Sequence, residues 1–302
     1  MSDAVDQHKS LVQNTPLDGW VRDSKISFVY RDKKHFDSDS YSWKMKKTAG
    51  LIPKVITGES VQEEEPILAT NYSCLAVLEG QGHISDPGQY VAKLAKHFIS
   101  LGGRIIAAEV HDLQKNTEGK VFGISTDKGT FACDFAVITA GIWSKELTVR
   151  LGLKIPLDAE RGYHVIFEKP SVVPRNPLLM VDGKFGVNAM DMGLRCADTV
   201  ELGDHKSGPS AALIKLIRKH AGRAFPNLTF SGTQEWMGFR PSTPDSLPVI
   251  GELDGSGIFV GFGHQHVGLT AGPKTGYLLS RMVAGQNPNM DLTAFDPARY
   301  SL

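Results

Sequence analysis

Hydrophobic residues recur at helical spacing over residues 90–99 and at strand spacing up to residue 140. The helix is predicted to begin after Asp86, because Asp86, Pro87 and Gln89 offer an N-cap, a first-turn proline and a reciprocal capping glutamine; Gly102-Gly103 ends it. Strands are predicted at 104–110, 121–126 and 135–140, with turns at 116–119 and 127–129. The order of helix, β-meander and returning strand is typical of an α/β domain. The helix carries one apolar stripe, formed by Tyr90, Val91, Leu94, Ala95, Phe98 and Ile99.

The pattern changes after residue 150. Residues 151–237 alternate in short segments rich in proline and glycine, which predicts a mostly antiparallel sheet. One helix, over about residues 210–225, interrupts this sheet. The chain is therefore expected to hold two domains of different construction.

A third pattern, near the carboxyl end, combines a strand, a glycine-rich loop and a helix. Arg240 precedes Pro241, which favours extended backbone at the arginine, and residues 243–246 have turn chemistry. A buried strand is predicted at 258–260, and the next helix is expected to take Pro273 in its first turn. Such a loop leaves N–H groups free to bind an anion or a carbonyl oxygen, although a simple tight turn has the same pattern. The loop glycines are Gly261, Gly263, Gly268 and Gly272.

Composition narrows the function classes. The 302 residues are 41% hydrophobic, enough for a large core, and the formal net charge of zero gives no reason to expect nucleic acid as a partner. Cys74, Cys133 and Cys196 are odd in number and far apart, which fits neither a disulfide framework nor a metal site. The sequence has no targeting signal and no apolar run of ~18 residues. We expect a cytoplasmic protein with no transmembrane segment, and peripheral contact with the inner membrane stays open.

Several motifs, in their order along the chain, resemble the FAD-dependent D-amino-acid oxidase superfamily, notably D-amino-acid dehydrogenases and glycine oxidases. The resemblance covers most of residues 60–300 and depends on the order of the motifs more than on any one of them. The motifs are ITAGIWSKEL (138–147), RGYHVIFE (161–168), LRCADTVELG (194–203), GFRPSTPD (238–245) with its PVIG ending, and the Gly263-His264 step before Gly268.

The resemblance implies an α/β (α+β) fold, with an incomplete FAD-binding Rossmann-like domain and a second, mostly antiparallel β-sheet substrate domain. Residues 1–82 would be substrate-domain and connecting chain, 83–150 the middle of the FAD domain, 151–237 the substrate domain, and 238–302 the end of the FAD domain. Family members open with a strand, a G-x-G-x-x-G turn and a helix, and residues 1–60 do not resemble this unit. We therefore expect the chain to lack the N-terminal dinucleotide-binding unit.

Three residues are expected at the reacting centre. Arg240 matches the family arginine that binds the substrate carboxylate, since a guanidinium can bind a carboxylate bidentately. A structural arginine paired with Asp245 or Glu235 is the alternative. Tyr163, with His164 beside it, would face the substrate, although a strand tyrosine is more often a core residue. His266 would complete the group, with a merely packed or solvated histidine as its alternative.

The cofactor implied by the resemblance is FAD. Val110 matches the strand residue whose backbone contacts adenine, and Ala140 with Gly141 matches the close approach near the pyrophosphate. The loop that wraps the flavin would stabilise negative charge on the reduced ring through its backbone N–H groups. Its residues are Gly263, His264, Gln265, His266, Val267, Gly268, Leu269 and Thr270. Gln265 and His266 depart from both subfamilies, so no substrate preference is carried over.

The implied reaction oxidises the C–N bond of a D-amino acid, or of a related small amino acid or amine, to a 2-oxo acid by hydride transfer to the flavin. The partners would be that small molecule and either oxygen or a quinone as electron acceptor. Three alternatives stay open. The chain could be a catalytically inactive truncated fragment that keeps the substrate-domain fold, or a subunit that needs a partner to supply the nucleotide-binding unit. The third is an interaction role for the surface that a missing unit would leave exposed.

Overall fold

The computed structural model describes residues 3–203 and 207–300, and within them the chain forms three β-sheets and eight α-helices. The strands are β1 (Arg22–Tyr30), β2 (Lys54–Thr57), β3 (Cys74–His83), β4 (Val110–Lys115), β5 (Val121–Thr126), β6 (Gly129–Ala132), β7 (Ala136–Ile138), β8 (Asp158–Glu168), β9 (Leu178–Met180), β10 (Phe185–Met190), β11 (Gly193–Leu202), β12 (Gly232–Ser242), β13 (Val249–Glu252) and β14 (Ile258–Phe262). The helices are α1 (Ala4–Val12), α2 (Lys33–Ser38), α3 (Ser40–Thr48), α4 (Ser60–Glu64), α5 (Pro87–Ser100), α6 (Ser144–Arg150), α7 (Ala211–Ala224) and α8 (Gly268–Val283).

The largest sheet has eight strands in the order β12-β8-β11-β10-β9-β1-β3-β2. Its neighbours are antiparallel except for β1 and β9, so the predicted mostly antiparallel sheet is confirmed. The motif at residues 194–203 lies on β11, which pairs with β10, and the expected helix at 210–225 is α7. β12 lies at the edge of the sheet, which explains how Pro241 is tolerated in a strand without a ladder N–H.

One face of this sheet packs against α7 and forms the main hydrophobic core. Because side chains alternate along a strand, Tyr163, Val165 and Phe167 of β8 point into this core. Gly162 and His164 therefore belong to the opposite face. The pairing of β12 with β8 sets Trp236 opposite His164 and Arg240 opposite Glu160. The second face thus carries His164, Trp236 and Arg240.

A smaller sheet, β13-β14-β7, holds the one parallel pair outside the large sheet that the described residues show. Ile258, Val260 and Phe262 of β14 are buried with Ile138 of β7, as the predicted apolar strand requires. Two chain segments leave the carboxyl ends of this parallel pair side by side. This is the position at which open α/β sheets bind their ligands.

The third sheet, β4-β5-β6, corrects one predicted strand. Residues 104–110 were expected to form a strand, but β4 begins only at Val110 and continues to Lys115. The reason is pairing: β5 supplies hydrogen-bonding partners for residues 110–115, and residues 104–109 have no strand neighbour within the described parts of the chain. Ile105 and Ile106 in that segment are exposed. The strand predicted at 121–126 is confirmed, and β6 was not foreseen.

The capping signals of α5 are confirmed, since the Asp86 side chain accepts from the Gln89 N–H at 2.9 Å. Its apolar stripe, however, is only partly covered. Tyr90 is fully buried, whereas Val91, Phe98 and Ile99 are each about half exposed. Tyr90, Val91 and Leu94 line a groove of about 850 Å³ between α1, α5 and α8. An apolar groove of this size is characteristic of a surface that contacts something else.

Helix α8 begins earlier than expected, which places Pro273 inside the helix and not in its first turn. A proline at this position removes the N–H that would bond to the carbonyl of Leu269, four residues earlier. His8 of α1 compensates, because its Nε2 lies 2.9 Å from that carbonyl oxygen. The His8 Nδ1 lies 2.9 Å from the Tyr90 hydroxyl, so a single imidazole joins α1, α5 and α8. Burial lowers the pKa of His8, which favours the neutral ring that this pair of bonds uses.

Candidate active site

The two segments that leave β7 and β14 both turn through left-handed backbone. After β7 the chain passes Ala140 and turns at Gly141, where φ is +58°. After β14 it turns at Gly263, where φ is +83°. Both segments then form short 3-10 turns, Gly141–Trp143 and Gln265–Val267, and both turns contact β12. The structure therefore brings Ala140, Gly141 and the 263–270 loop to the end of β12 that carries Arg240.

Contacts behind the loop fix its shape. A Cβ at Gly263 would lie 3.1 Å from the Cγ2 of Thr243, so the turn after β12 packs directly against this glycine. The His264 Nε2 lies 2.9 Å from the Thr275 hydroxyl, about two turns into α8, and burial lowers the pKa of His264. His264 is therefore a neutral brace between the loop and its helix at pH 7. Gln265 has φ of +51°, and His266 is exposed.

The loop ends at the amino terminus of α8, where N–H groups are available. Val267 occupies the N-cap, and no side-chain hydrogen bond caps this helix. The first N–H groups of an α-helix have no partner inside the helix, and here they belong to Gly268, Leu269 and Thr270. The positive end of the helix dipole lies at the same place as these N–H groups. The arrangement suits an anionic or carbonyl oxygen in front of the loop.

Arg240 lies over the sheet and does not extend into bulk water. An ideal Cβ built on Gly162 would be 2.5 Å from the Arg240 Cζ and 2.6 Å from its Nη2, so the guanidinium rests on the backbone of that glycine. The two carboxylates that were the alternative partners of Arg240 are bonded to other arginines. Asp245 accepts from the Arg299 Nε at 2.9 Å, and Glu235 accepts from the Arg218 Nη2 at 2.7 Å.

An aromatic pair lies next to Arg240 on the same face. The rings of His164 and Trp236 stack with centroids 4.9 Å apart and an interplanar angle of 17°. Burial, with a contribution from the charge of Arg195, lowers the pKa of His164 to about 4. His164 is therefore neutral at pH 7. Its Nδ1 is buried with no hydrogen-bond partner among the described residues.

The expectation that Tyr163 faces the substrate is corrected by the strand register. Tyr163 is adjacent to His164 in sequence and so points to the opposite face, where it is 1% exposed. Its hydroxyl donates to the Glu201 Oε2 at 2.5 Å and accepts from the Ser210 N–H, at the start of α7, at 3.2 Å. Tyr163 therefore joins the sheet to its covering helix, and His164 lies on the opposite face with Trp236 and Arg240.

Val110 stands apart from the other predicted cofactor residues. It begins β4 in the three-stranded meander, and its backbone pairs with Thr126. This sheet is joined to the chain behind the Gly141 turn, since the Arg150 Nη1 of α6 donates to the His111 carbonyl at 2.8 Å. Val110 is exposed. The expected contact of its backbone with adenine stays a prediction.

Sequence reasoning missed several residues that shape the site. Trp236 and Gly162 were given no role from the sequence. The signal for Gly162 was present, because a glycine inside a strand marks a close approach by another group. The roles of Arg195 and His8 depend on contacts between distant segments, which no local pattern shows.

The family model for FAD-dependent oxidoreductases, called DAO, matches residues 1–282. The chain belongs to this family. A D-amino-acid oxidase of Bradyrhizobium diazoefficiens is 34% identical over 305 residues, covering 99% of this chain and 72% of that protein. A glycine oxidase of Pseudomonas aeruginosa is 24% identical, covering 95% of the chain and 78% of the relative. The crystal structure of glycine oxidase from Geobacillus kaustophilus shares the fold with a TM-score of 0.85 at 24% identity, over 99% of this chain and 81% of that one.

FAD is the cofactor of the DAO family, and the residues present fit its flavin end. Gly141 has open space where a Cβ would stand, and the uncapped start of α8 presents N–H groups. The structure confirms the predicted mixed α/β fold with mostly antiparallel sheets, a fold it shares with glycine oxidase. No described helix is both long and apolar enough to cross a membrane.

Proposed function

We propose that this protein oxidises the C–N bond of a D-amino acid or a related small amino acid, with FAD as the electron acceptor. The observation that supports it most is the placement of Arg240 on the open sheet face beside an uncapped glycine loop. The glycine loop and the start of α8 would hold FAD, which would supply the capacity to take up a hydride from the α-carbon. The imine that remains in the substrate adds water and yields a 2-oxo acid and ammonia or an amine.

The chain's own residues bind and orient the substrate. The guanidinium of Arg240 binds the α-carboxylate and so fixes the α-carbon in front of the loop. The indole of Trp236 and the neutral ring of His164 border the side-chain space and help to exclude water. The N–H groups of Gly268 and its neighbours hold the negative charge that gathers on the reduced cofactor. No protein base is required if the substrate amine enters neutral.

The proposal includes a nucleotide-binding unit that would cover apolar surface exposed by this chain, the α1–α5–α8 groove included. Three observations support it: the groove is apolar, residues 104–109 lie extended without a strand neighbour in the described chain, and Val137 on the parallel strand β7 is exposed. Parallel strands are normally covered on both faces. The chain spans 72% of the length of the Bradyrhizobium oxidase, which leaves room for such a unit in the relative.

The test is a reconstitution. The chain is coexpressed with the nucleotide-binding segment of a family relative, supplied with FAD, and assayed for 2-oxo acid formation from a panel of D-amino acids, glycine and N-substituted glycines. We expect oxidation by the pair, and a large rise in KM after Arg240→Gln with a smaller change in kcat. Arg218→Gln, a change of the same kind at the α7 arginine that pairs with Glu235, should leave KM unaltered. A KM that Arg240→Gln does not change would refute the carboxylate assignment.

A further inference from the structure

We propose that Arg195 is a second anion-binding residue on the substrate face, and that the preferred substrates are amino acids carrying a second carboxylate. The inference rests on the proposed function, since it places the first carboxylate on Arg240. It names the substrate class more closely: a small amino acid whose side chain or N-substituent ends in a carboxylate.

Strand register places the two arginines on one face. Arg195 of β11 pairs with Ile166 of β8, and Arg240 of β12 pairs with Glu160. Both partners share the face of His164, because residues two apart on a strand point the same way. The Arg240 side chain runs back along the sheet until its guanidinium lies over Gly162. It is therefore directed towards Arg195 and away from the end of the strand.

The separation suits one small molecule. Gly162 and Ile166 are four residues apart on β8, or about 13 Å at ~3.3 Å per residue. The Arg195 side chain crosses part of this distance, because its charge acts on His164, which lies midway. The stacked rings of His164 and Trp236 border the interval. They offer an uncharged wall for the methylene groups that separate two carboxylates.

The described side chains supply no counter-ion for Arg195. Among the side chains that the structure describes, none forms an ion pair or hydrogen bond with it. Burial and the neighbouring charge of Arg240 both lower its pKa, so the cation is held in an unfavourable environment. The nearby Glu168 carboxylate is engaged by the Gln234 Nε2 at 2.5 Å. A desolvated guanidinium without a partner is costly, and the carboxylate of a ligand would remove that cost.

The experiment compares two ligands of similar size on the purified chain by calorimetric or NMR titration. Glutarate carries two carboxylates and butyrate one. We expect glutarate to bind at least about tenfold more tightly, the effect of one charge-assisted hydrogen-bonded contact. Arg195→Gln should abolish this preference and leave butyrate affinity within about twofold, whereas Arg195→Lys should retain part of it. Arg218→Gln is the matched control and should change neither ligand.

The outcomes separate the two proposals. If Arg240→Gln weakens butyrate while Arg195→Gln keeps the preference for glutarate, the second anion site is wrong and the proposed function stands. If Arg195→Gln abolishes the preference while Arg240→Gln leaves butyrate unchanged, the site assigned to Arg195 stands and the carboxylate role of Arg240 fails. Equal affinities of the unchanged protein for glutarate and butyrate, or no binding of glutarate, would overturn the inference. Circular dichroism confirms that each variant is folded.

Discussion

Replacement of Gly162 by alanine tests whether Arg240 is held in place by the sheet beneath it. The new Cβ would lie 2.5 Å from the Arg240 Cζ and 2.8 Å from its Nε, whereas carbon atoms in contact are about 3.5–4.0 Å apart. The guanidinium must therefore move by about 1 Å. Bonds of 2.7–2.9 Å between a guanidinium and a carboxylate do not survive such a shift in their bidentate form. The loss of about 1.5–3 kcal/mol corresponds to a roughly ten- to hundredfold weaker carboxylate affinity.

The assay is a butyrate titration of Gly162→Ala, with urea unfolding of the same samples. Alanine in place of a strand glycine gains about 0.5–1 kcal/mol of stability from backbone entropy, so weaker binding would not reflect a damaged fold. Gly222→Ala, on the exposed side of α7 with no atom within 4 Å of the new Cβ, controls for the substitution itself. Butyrate affinity equal to that of the unchanged protein would show that Arg240 does not bind the carboxylate from this position.

Three further predictions each have a defined outcome. Tyr163→Phe removes the hydroxyl that bonds Glu201 and Ser210, so urea unfolding should show a loss of about 1–2 kcal/mol with butyrate affinity unchanged; weaker butyrate binding would return Tyr163 to the site. In the folded protein the pKa of His164 is about 4, below its value of about 6.5 in the unfolded chain. The contribution of His164 to the free energy of unfolding is therefore fully present above pH 6.5 and is lost as the pH falls towards 4. Discounted for partial exposure, the loss at pH 5 is about 1–2 kcal/mol, and His164→Gln should remove it; an unchanged pH dependence would contradict this. Finally, the purified 302-residue chain should retain little FAD and should bind a hydrophobic dye through the α1–α5–α8 groove, so a preparation with near-stoichiometric flavin absorbance would refute that expectation.

Local signals predicted several helices and strands of this fold, and long-range pairing decided the rest. The cap at Asp86 and the apolar spacing of α7 are encoded within a few residues, and both helices form where expected. The strand at 104–110 failed because a strand needs a neighbour, which its own sequence does not contain. Pro273 lies inside α8 because His8, more than 260 residues away, satisfies the carbonyl that a proline leaves unpaired.

The candidate site shows the same division. Arg240 and the glycine loop were found from motifs because their chemistry is local. Tyr163 and His164 are neighbours on β8 and point to opposite faces. The sequence of β8 does not show which face a helix will cover, so the prediction placed the core residue Tyr163 in the candidate site. Arg195 carried no local signal at all. Its importance appears only when β11, β8 and β12 are paired in register.

The link between the two halves of the site follows from a short covalent path. Thr243 lies three residues after Arg240 and packs against Gly263, where the flavin loop begins. The Thr243 hydroxyl donates to the Leu247 carbonyl at 2.7 Å, which closes the turn and prevents the threonine from withdrawing. This contact between Thr243 and Gly263 therefore fixes the distance between Arg240 and the loop. A Cβ added at Gly263 would have to displace Thr243 and adopt an unfavourable positive φ. In the proposed site, Gly263 therefore sets the distance between Arg240 and the loop that would hold the cofactor, without contacting the substrate.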